Sequence, residues 1–250
     1  MPQPNSPHAL KTEAEVRTTM KRLTRRSFAT GAAAAIAGLL GWEWLRNAAA
    51  EDGIPWPLRR VLQFNEHLAE TLFSDQRLAP TFPPDAAAEP RANGGHGLGG
   101  NFDPGAWQLR IVGPRPQQLP LAAVQALPRV EMVTELKCIE GWSTIVHWAG
   151  ARLADFARKY GLDGRYVSMA TPDGGYYVGL DRASALHPQT LLCYEMNGRP
   201  LSLEHGAPLR LVTPVKYGIK HIKRIGSLQF TDERPKDYWA ERGYDWYAGH

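Results

Sequence analysis

The chain has 250 residues, 43% of them hydrophobic, 22% charged and 10% aromatic, which is ample for an independent core and excludes a disordered chain or a small disulfide scaffold. Its 24 glycines and 20 prolines demand many turns and exclude a coiled coil. The net charge of +4 lies wholly in residues 1–50, where Lys11, Arg17, Lys21, Arg22, Arg25, Arg26 and Arg46 stand against Glu13, Glu15 and Glu43; the remaining body is neutral, which excludes nucleic-acid binding driven by bulk charge.

In chain order, the first feature is the basic stretch from Met20 to Thr30, with Arg25-Arg26 directly before Ser27-Phe28. A small and apolar run, Gly31 to Gly41, follows it, and Ala48-Ala49-Ala50 precede Glu51. Basic, apolar and small-residue parts in that order are the anatomy of an export signal. The paired arginines make it look like a twin-arginine signal, which predicts a periplasmic protein exported already folded by the twin-arginine machinery. The alternatives are a membrane anchor and a plain amphipathic helix. The apolar run is shorter than the ~20 residues of a spanning helix and meets Glu43 and Arg46, which disfavours a stable span. Residues 1–19 lack the pattern of a signal's basic part, which predicts Met20 as the natural start.

Beyond the signal, Val61, Phe64, Leu68 and Leu72 give the stretch from Leu58 to Phe73 a helical period. Prolines and glycines then punctuate the chain to residue 106, predicting a long irregular segment of the kind that forms binding loops. From Trp107 the pattern changes to strands: Trp107 to Val112, Val130 to Leu136, Tyr166 to Ala170, Tyr176 to Leu180, Leu191 to Met196, Leu209 to Thr213 and Ser227 to Phe230. Asn197-Gly198 signals a hairpin. One amphipathic helix interrupts the strands, with Leu153, Phe156, Ala157 and Tyr160 on one face and Gly161 as its stop. The expectation is a mixed α+β domain of irregular strands, divided into residues 1–50 as N-terminal extension and signal, 51–106 as a segment wrapping the core, and 107–250 as the core with its C-terminal tail.

Two cysteines are present, Cys138 and Cys193. A disulfide between them is the bland reading for an exported protein. Cys193, in Leu191-Leu192-Cys193-Tyr194, reads as a small buried hydrophobe. Cys138 ends a strand-like run in Lys137-Cys138-Ile139-Glu140-Gly141-Trp142-Ser143, and in extended backbone Cys138, Glu140 and Trp142 point to one side. No family signature of a cysteine hydrolase and no paired zinc-ligand spacing surrounds it. A soft thiolate can instead hold a transition metal whose other ligands come from an organic cofactor. Arg210, Lys216, Lys220 and Lys223 cluster around Tyr217-Gly218, a set suited to a phosphate.

The segment from Glu204-His205-Gly206-Ala207-Pro208 through Arg210 and Lys216-Tyr217-Gly218 to His221-Ile222-Lys223 resembles the molybdopterin-binding segment of the sulfite oxidase superfamily. With Cys138-Ile139-Glu140-Gly141-Trp142-Ser143 it most resembles the catalytic subunits of bacterial periplasmic protein methionine sulfoxide reductases, over about Phe64 to Trp239. The resemblance implies a single β-rich molybdopterin domain without the immunoglobulin-like dimerisation domain of sulfite oxidases, hence a monomer. It implies a molybdenum-molybdopterin cofactor with Cys138 as the metal's thiolate ligand. Asn65, Thr171, His205, Arg210, His221, Ile222 and Lys223 fall where the family contacts the pterin and its phosphate. His205 stands where the reductases have Asn, and the segment around Asn65 matches loosely. Pro172-Asp173-Gly174-Gly175 replaces a longer stretch of the reductases.

The superfamily transfers an oxygen atom and two electrons at molybdenum. Sulfite oxidases place basic residues shortly after the ligand cysteine; here Ile139 to Ser143 contains Glu140 and no Arg, a composition that repels a small dianion. A neutral sulfoxide such as methionine sulfoxide is the expected substrate, with Glu140 as a catalytic group beside Cys138. The resemblance implies electrons from a membrane b-type haem subunit linked to the quinol pool. Two other readings stay open: a sulfite-oxidase-type molybdenum dehydrogenase, and a cofactor-free periplasmic binding module in which Cys138 is structural.

Overall fold

The computed structural model describes residues 13–92 and 94–250; the rest of the N-terminal extension, Lys11 included, lies outside them. These residues fall into two compact units, one running to Ala50 with Pro55–Pro57, the other comprising Glu51–Ile54 and Leu58–His250.

The first unit is dominated by helix α1 (Glu13–Asn47). Its alanine-rich middle has high helix propensity. Leu39, Leu40, Trp42 and Trp44 carry its apolar character on both sides of Glu43. The expectation of a run too short to span is revised accordingly: Met20–Asn47 is long and apolar enough to cross a membrane, a property that signal sequences share. Two short strands, β1 (Ala50–Glu51) and β2 (Ile54–Pro55), lead to helix α2 (Trp56–Leu72).

The second unit is built on two five-stranded sheets. One contains β5 (Arg129–Lys137), β6 (Ser143–Arg152), β9 (Leu191–Met196), β10 (Arg199–Pro200) and β11 (Arg210–Val212). Its order is β10-β9-β6-β5, with β11 also pairing with β9, all antiparallel. The other contains β3 (Leu109–Val112), β4 (Gln117–Leu119), β7 (Tyr166–Ala170), β8 (Tyr177–Asp181) and β12 (Ser227–Thr231) in the order β4-β3-β12-β7-β8. Only β3 and β12 run parallel there. Residues of both sheets and of helices α3 (Leu121–Gln125) and α4 (Leu153–Tyr160) share one core, with Leu109, Val124, Phe156, Val167, Met169, Leu192, Leu211 and Leu228 at or near zero exposure. The period-two pattern of β7 explains its placement: Val167 and Met169 are buried and their neighbours only half-buried.

β7 and β9 occupy the predicted residues, α4 stops at Gly161, and Asn197-Gly198 turns between β9 and β10. Sequence reading passes over the short β4 and β10 and also β6, the longest strand, which pairs with β5 on one side and β9 on the other. Its second half, Ala149-Gly150-Ala151, has no β-branched residue, and the reason lies in packing: a Cβ on Gly150 would stand 2.2 Å from the Leu192 carbonyl oxygen. The irregular segment runs beside β5, where Thr81 bridges Thr134 and the Phe82 N–H donates to the Val133 carbonyl at 3.0 Å.

Helix α2 is mounted in an unusual sense. Its buried residues are Arg59 and Glu66. The Arg59 guanidinium donates to the carbonyls of Ala240 at 2.9 Å and Tyr244 at 3.1 Å, and Glu66 pairs with Arg234 at 2.7 Å. Leu58, Val61, Phe64, Leu68 and Leu72, which give the helix its period, are exposed.

Candidate active site at the end of strand β5

Strand β5 ends at Lys137, and Cys138 opens the tight loop that returns the chain into β6. The Cys138 N–H donates to the Trp142 carbonyl at 2.9 Å and the Gly141 N–H to the Cys138 carbonyl at 3.1 Å. The backbone here is a turn rather than the extended strand expected from sequence, yet Cys138, Glu140 and Trp142 still line one cavity of about 430 Å³. The Trp142 indole N–H donates to Glu140 Oε2 at 3.0 Å, and the Arg91 guanidinium lies 5.8 Å over the Trp142 ring. Gly218 closes the cavity behind Cys138. A Cβ there would meet the Lys137 carbonyl at 3.3 Å, so the absence of a side chain is what lets the two segments approach.

The opposite wall carries His205, Arg210, His221 and Lys223. Arg210, at the start of β11, is 3% exposed; its Nη1 donates to the His205 carbonyl at 3.1 Å and its Nη2 to the His221 carbonyl at 3.4 Å. Its Nε has no partner, and among the described residues no carboxylate pairs with it. Burial pushes its pKa down to about 10. Burial and the nearby Arg210 charge push Lys223 down to about 8, and its Nζ donates to the Glu204 carbonyl at 2.9 Å. His205 is lowered by burial, then by Arg210 and Lys223, with Glu89 opposing at 3.1 Å. Arg210 and Lys223 thus crowd positive charge on this wall, with Glu89 opposing it at His205 and Glu204 at Lys223.

His221 is 4% exposed, and burial, with Arg210, holds its pKa down to about 3. Its Nε2 lies 3.0 Å from the Thr213 carbonyl oxygen and its Nδ1 has no partner. A histidine whose folded pKa is depressed leaves the unfolded state with more bound protons below pH ~6.5, so stability falls as pH falls from there toward 3. We expect this one group to add a slope of about 1.4 kcal/mol per pH unit in that window, and His221→Phe to flatten the stability–pH curve by that amount in urea titrations.

The other predicted positions sit elsewhere. Thr171 is buried beside the cavity, not on its wall: its Oγ1 donates to Asp173 at 2.6 Å and accepts from the Tyr176 N–H at 3.1 Å, and it is Tyr176 that lines the cavity. Ile222 is fully buried in the core, while the neighbours on either side of it reach the wall. Asn65 is exposed on α2 and lines a different cavity, of about 580 Å³, with Leu68, Leu72 and Lys137. The cluster of four basic residues also divides. Lys220 turns away into an ion pair with Asp237 at 2.6 Å, and Lys216 is buried over the Tyr247 ring, 3.5 Å from Asp181. Cys193 is buried in β9, joined in no disulfide, its thiol pushed up to about 12 by burial.

Sequence reading gives Arg91 and His96 no part in the site and leaves Trp239 and Tyr244 as C-terminal aromatics that wrap the domain or face a partner; all four line the cavity. His96 is held by aromatic neighbours: its ring stacks on Tyr176 at 6.4 Å, and Nδ1 lies 3.2 Å from the Tyr238 hydroxyl. The available signal was the glycine-rich run itself, which marks close passage of backbone over a site.

A metal at Cys138 would have to bring further donors with it, because among the described residues no three His, Cys, Asp or Glu side chains are grouped to hold one. A cofactor offering sulfur donors to the metal and a phosphate to the wall fits this set: one protein thiol on one side, and on the other a buried guanidinium and an imidazole with unpartnered nitrogens.

Comparison with known proteins agrees. Residues 96–239 match the family model described as oxidoreductase molybdopterin binding domain. The chain is 34% identical over 206 residues to a putative protein-methionine-sulfoxide reductase subunit YedZ1 of Azospira oryzae, covering 80% of this chain and 78% of that one. It is 34% identical over 175 residues to the protein-methionine-sulfoxide reductase catalytic subunit MsrP of Campylobacter jejuni, covering 60% and 59%. It thus spans less than two thirds of the length of that catalytic subunit. Among solved structures, the sulfane dehydrogenase SoxCD of Paracoccus pantotrophus is similar at TM-score 0.49 and 18% identity, covering 54% of this chain and 40% of that one.

Proposed function

The chain belongs to the oxidoreductase molybdopterin binding domain family, and from that premise we propose that it is a sulfoxide reductase, acting on methionine sulfoxide or a similar neutral sulfoxide. The observation that carries the reading is the pairing, in one cavity, of the Cys138 thiol with a buried cationic wall of Arg210 and Lys223. In this proposal Cys138 Sγ holds the metal, and Arg210, Lys223, His205 and His221 hold the pterin and its phosphate. Thr171 acts through Tyr176, and Ile222 sets the spacing of its two neighbours; Asn65, on another cavity, is left without a part. A cofactor-free binding module loses its ground with the family membership.

The bound cofactor supplies oxygen-atom transfer coupled to a two-electron change at the metal. Reducing a sulfoxide to a sulfide and water consumes two electrons and two protons, so the cavity needs a group that holds a proton. Glu140, fixed by the Trp142 indole, is that group in our reading. The absence of Arg and Lys between Ile139 and Ser143 suits a neutral substrate, and the names carried by the relatives support the sulfoxide class. Electrons come, in this proposal, from a membrane b-type haem subunit drawing on quinol, and the leader delivers the folded protein to the periplasm by the twin-arginine route.

Trp142→Phe removes the indole donor while keeping an aromatic wall. We expect kcat to fall roughly tenfold with KM little changed, the scale of losing a group that orients another. Steady-state kinetics with methionine sulfoxide and a reduced dye check this; an unchanged kcat shows that the indole does not orient Glu140 for catalysis.

One observation favours a second reading. Arg91 reaches the same cavity from the irregular segment, a cation that a sulfite-oxidase-type dehydrogenase would use for its dianion. Purified holoenzyme decides between them: sulfoxide-dependent oxidation of a reduced dye supports the first reading, and sulfite-dependent reduction of an oxidised acceptor with no sulfoxide turnover replaces it with the second.

A further inference from the structure

We propose that helix α2 is an interfacial membrane helix, its apolar side lying among the lipid headgroups and upper acyl chains while its polar side holds the catalytic domain. This stands independently of the reaction assigned above.

At 100° per residue, Leu58, Val61, Phe64, Leu68 and Leu72 fall within an arc of about 120°. Their exposures run from 42% to 66%. A helix on a soluble domain ordinarily turns such an arc inward. Here the inward side is polar, anchored through Arg59 and Glu66 on main-chain carbonyls and Arg234, and only the flank of the arc at Leu68 and Leu72 borders the cavity that Asn65 also lines. Those bonds specify the outward mounting, since rotating the apolar arc inward would bring the two charged groups out of a ready-made set of partners.

What covers the arc is decided by its size and its neighbourhood in the sequence. The five side chains together expose on the order of 500 Å², well below the ~800 Å² per partner of a stable protein dimer, so a second copy is poorly served by it. An interfacial helix needs no more than such a stripe. The chain just before α2 is compatible with a membrane: by length and composition Met20–Asn47 is able to span one, a property it shares with signal sequences. Lys21, Arg22, Arg25 and Arg26 stand at the start of that stretch and Trp42 and Trp44 near its end, the distribution of basic residues and aromatics found across a bilayer. Eight residues separate its end from Trp56, a tether of at most about 28 Å. Trp56 itself opens α2 with an exposed indole, a side chain that favours the headgroup region.

The test places nitroxide labels one at a time in the full-length holoenzyme reconstituted into phosphatidylethanolamine–phosphatidylglycerol vesicles, through Val61→Cys, Phe64→Cys and His67→Cys. The unsubstituted protein gives the background from Cys138 and Cys193. His67 is exposed on the side of the helix away from the arc. Labels at 61 and 64 are expected to collide more with oxygen, which concentrates in lipid, than with an aqueous nickel chelate, and the label at 67 to show the reverse. Equal nickel access at all three positions overturns the proposal by showing the arc in water. Labels at 61 and 64 shielded from both reagents also overturn it, in favour of a second copy packed on the helix.

Discussion

Cys138→Ser is expected to reduce turnover at least a thousandfold, about 4 kcal/mol of transition-state stabilisation, while leaving the fold intact. Cys138 begins a turn whose two hydrogen bonds are main-chain, and its side chain is only half-buried, so serine should alter stability by no more than ~0.5 kcal/mol. What changes is the donor: a hydroxyl is a far poorer ligand than a thiolate for a metal held in a sulfur-rich set. The cationic wall is untouched, so pterin should still co-purify. Cys193→Ser is the matched control. It puts a hydroxyl into a fully buried site in β9 and should cost about 1–3 kcal/mol of stability with no loss of turnover per folded molecule. Metal and pterin analysis beside dye-linked kinetics reads both variants. Full turnover of the Cys138→Ser protein would remove this residue as the metal ligand.

Arg210→Met is expected to weaken cofactor retention by about 2–5 kcal/mol, roughly 30-fold to several thousand-fold in affinity. The apo protein should change much less. Removing a desolvated guanidinium relieves the burial that lowers its pKa to about 10, which offsets the loss of donors to the His205 and His221 carbonyls. Arg210→Lys keeps the charge but not the planar fork, and should fall between the two. Pterin and molybdenum content after extended dialysis gives the measurement, with thermal unfolding of apo protein alongside. A variant that retains stoichiometric cofactor would show that Arg210 is only a structural cation beneath Trp148, whose ring it faces at 4.9 Å.

Much of this site is readable from local sequence, because its two halves are short contiguous motifs. Cys138 to Trp142 and His205 to Lys223 each bring their side chains to the cavity within one turn or one strand and its flanks. The side of a strand is less secure: Lys216 and Lys220 look equivalent to Lys223 in sequence, yet Asp181 and Asp237, distant in the chain, draw them the other way. Asn65 rests on the loosely matching part of the resemblance, and α2 carries it to another cavity. A helical period says which residues share a face and not which face turns inward, and in α2 the polar face does. The loop carrying Arg91 and His96 has no period at all, so only contacts made across the whole chain reveal that it covers the cavity. β6 was overlooked because its central position requires Gly150 and small neighbours where strand propensity asks for branched ones.

The pairing of β12 with β3 has a consequence for the order of assembly. Ser227 lies opposite Arg110 in that ladder, and β12 also joins β3 to the β7–β8 hairpin. Until Ser227–Thr231 has been synthesised, the second sheet is two separate hairpins, and contacts this distant in sequence form slowly. The cavity wall continues later still, through Trp239 and Tyr244. A nascent chain therefore has no finished cavity until Tyr244 has been added.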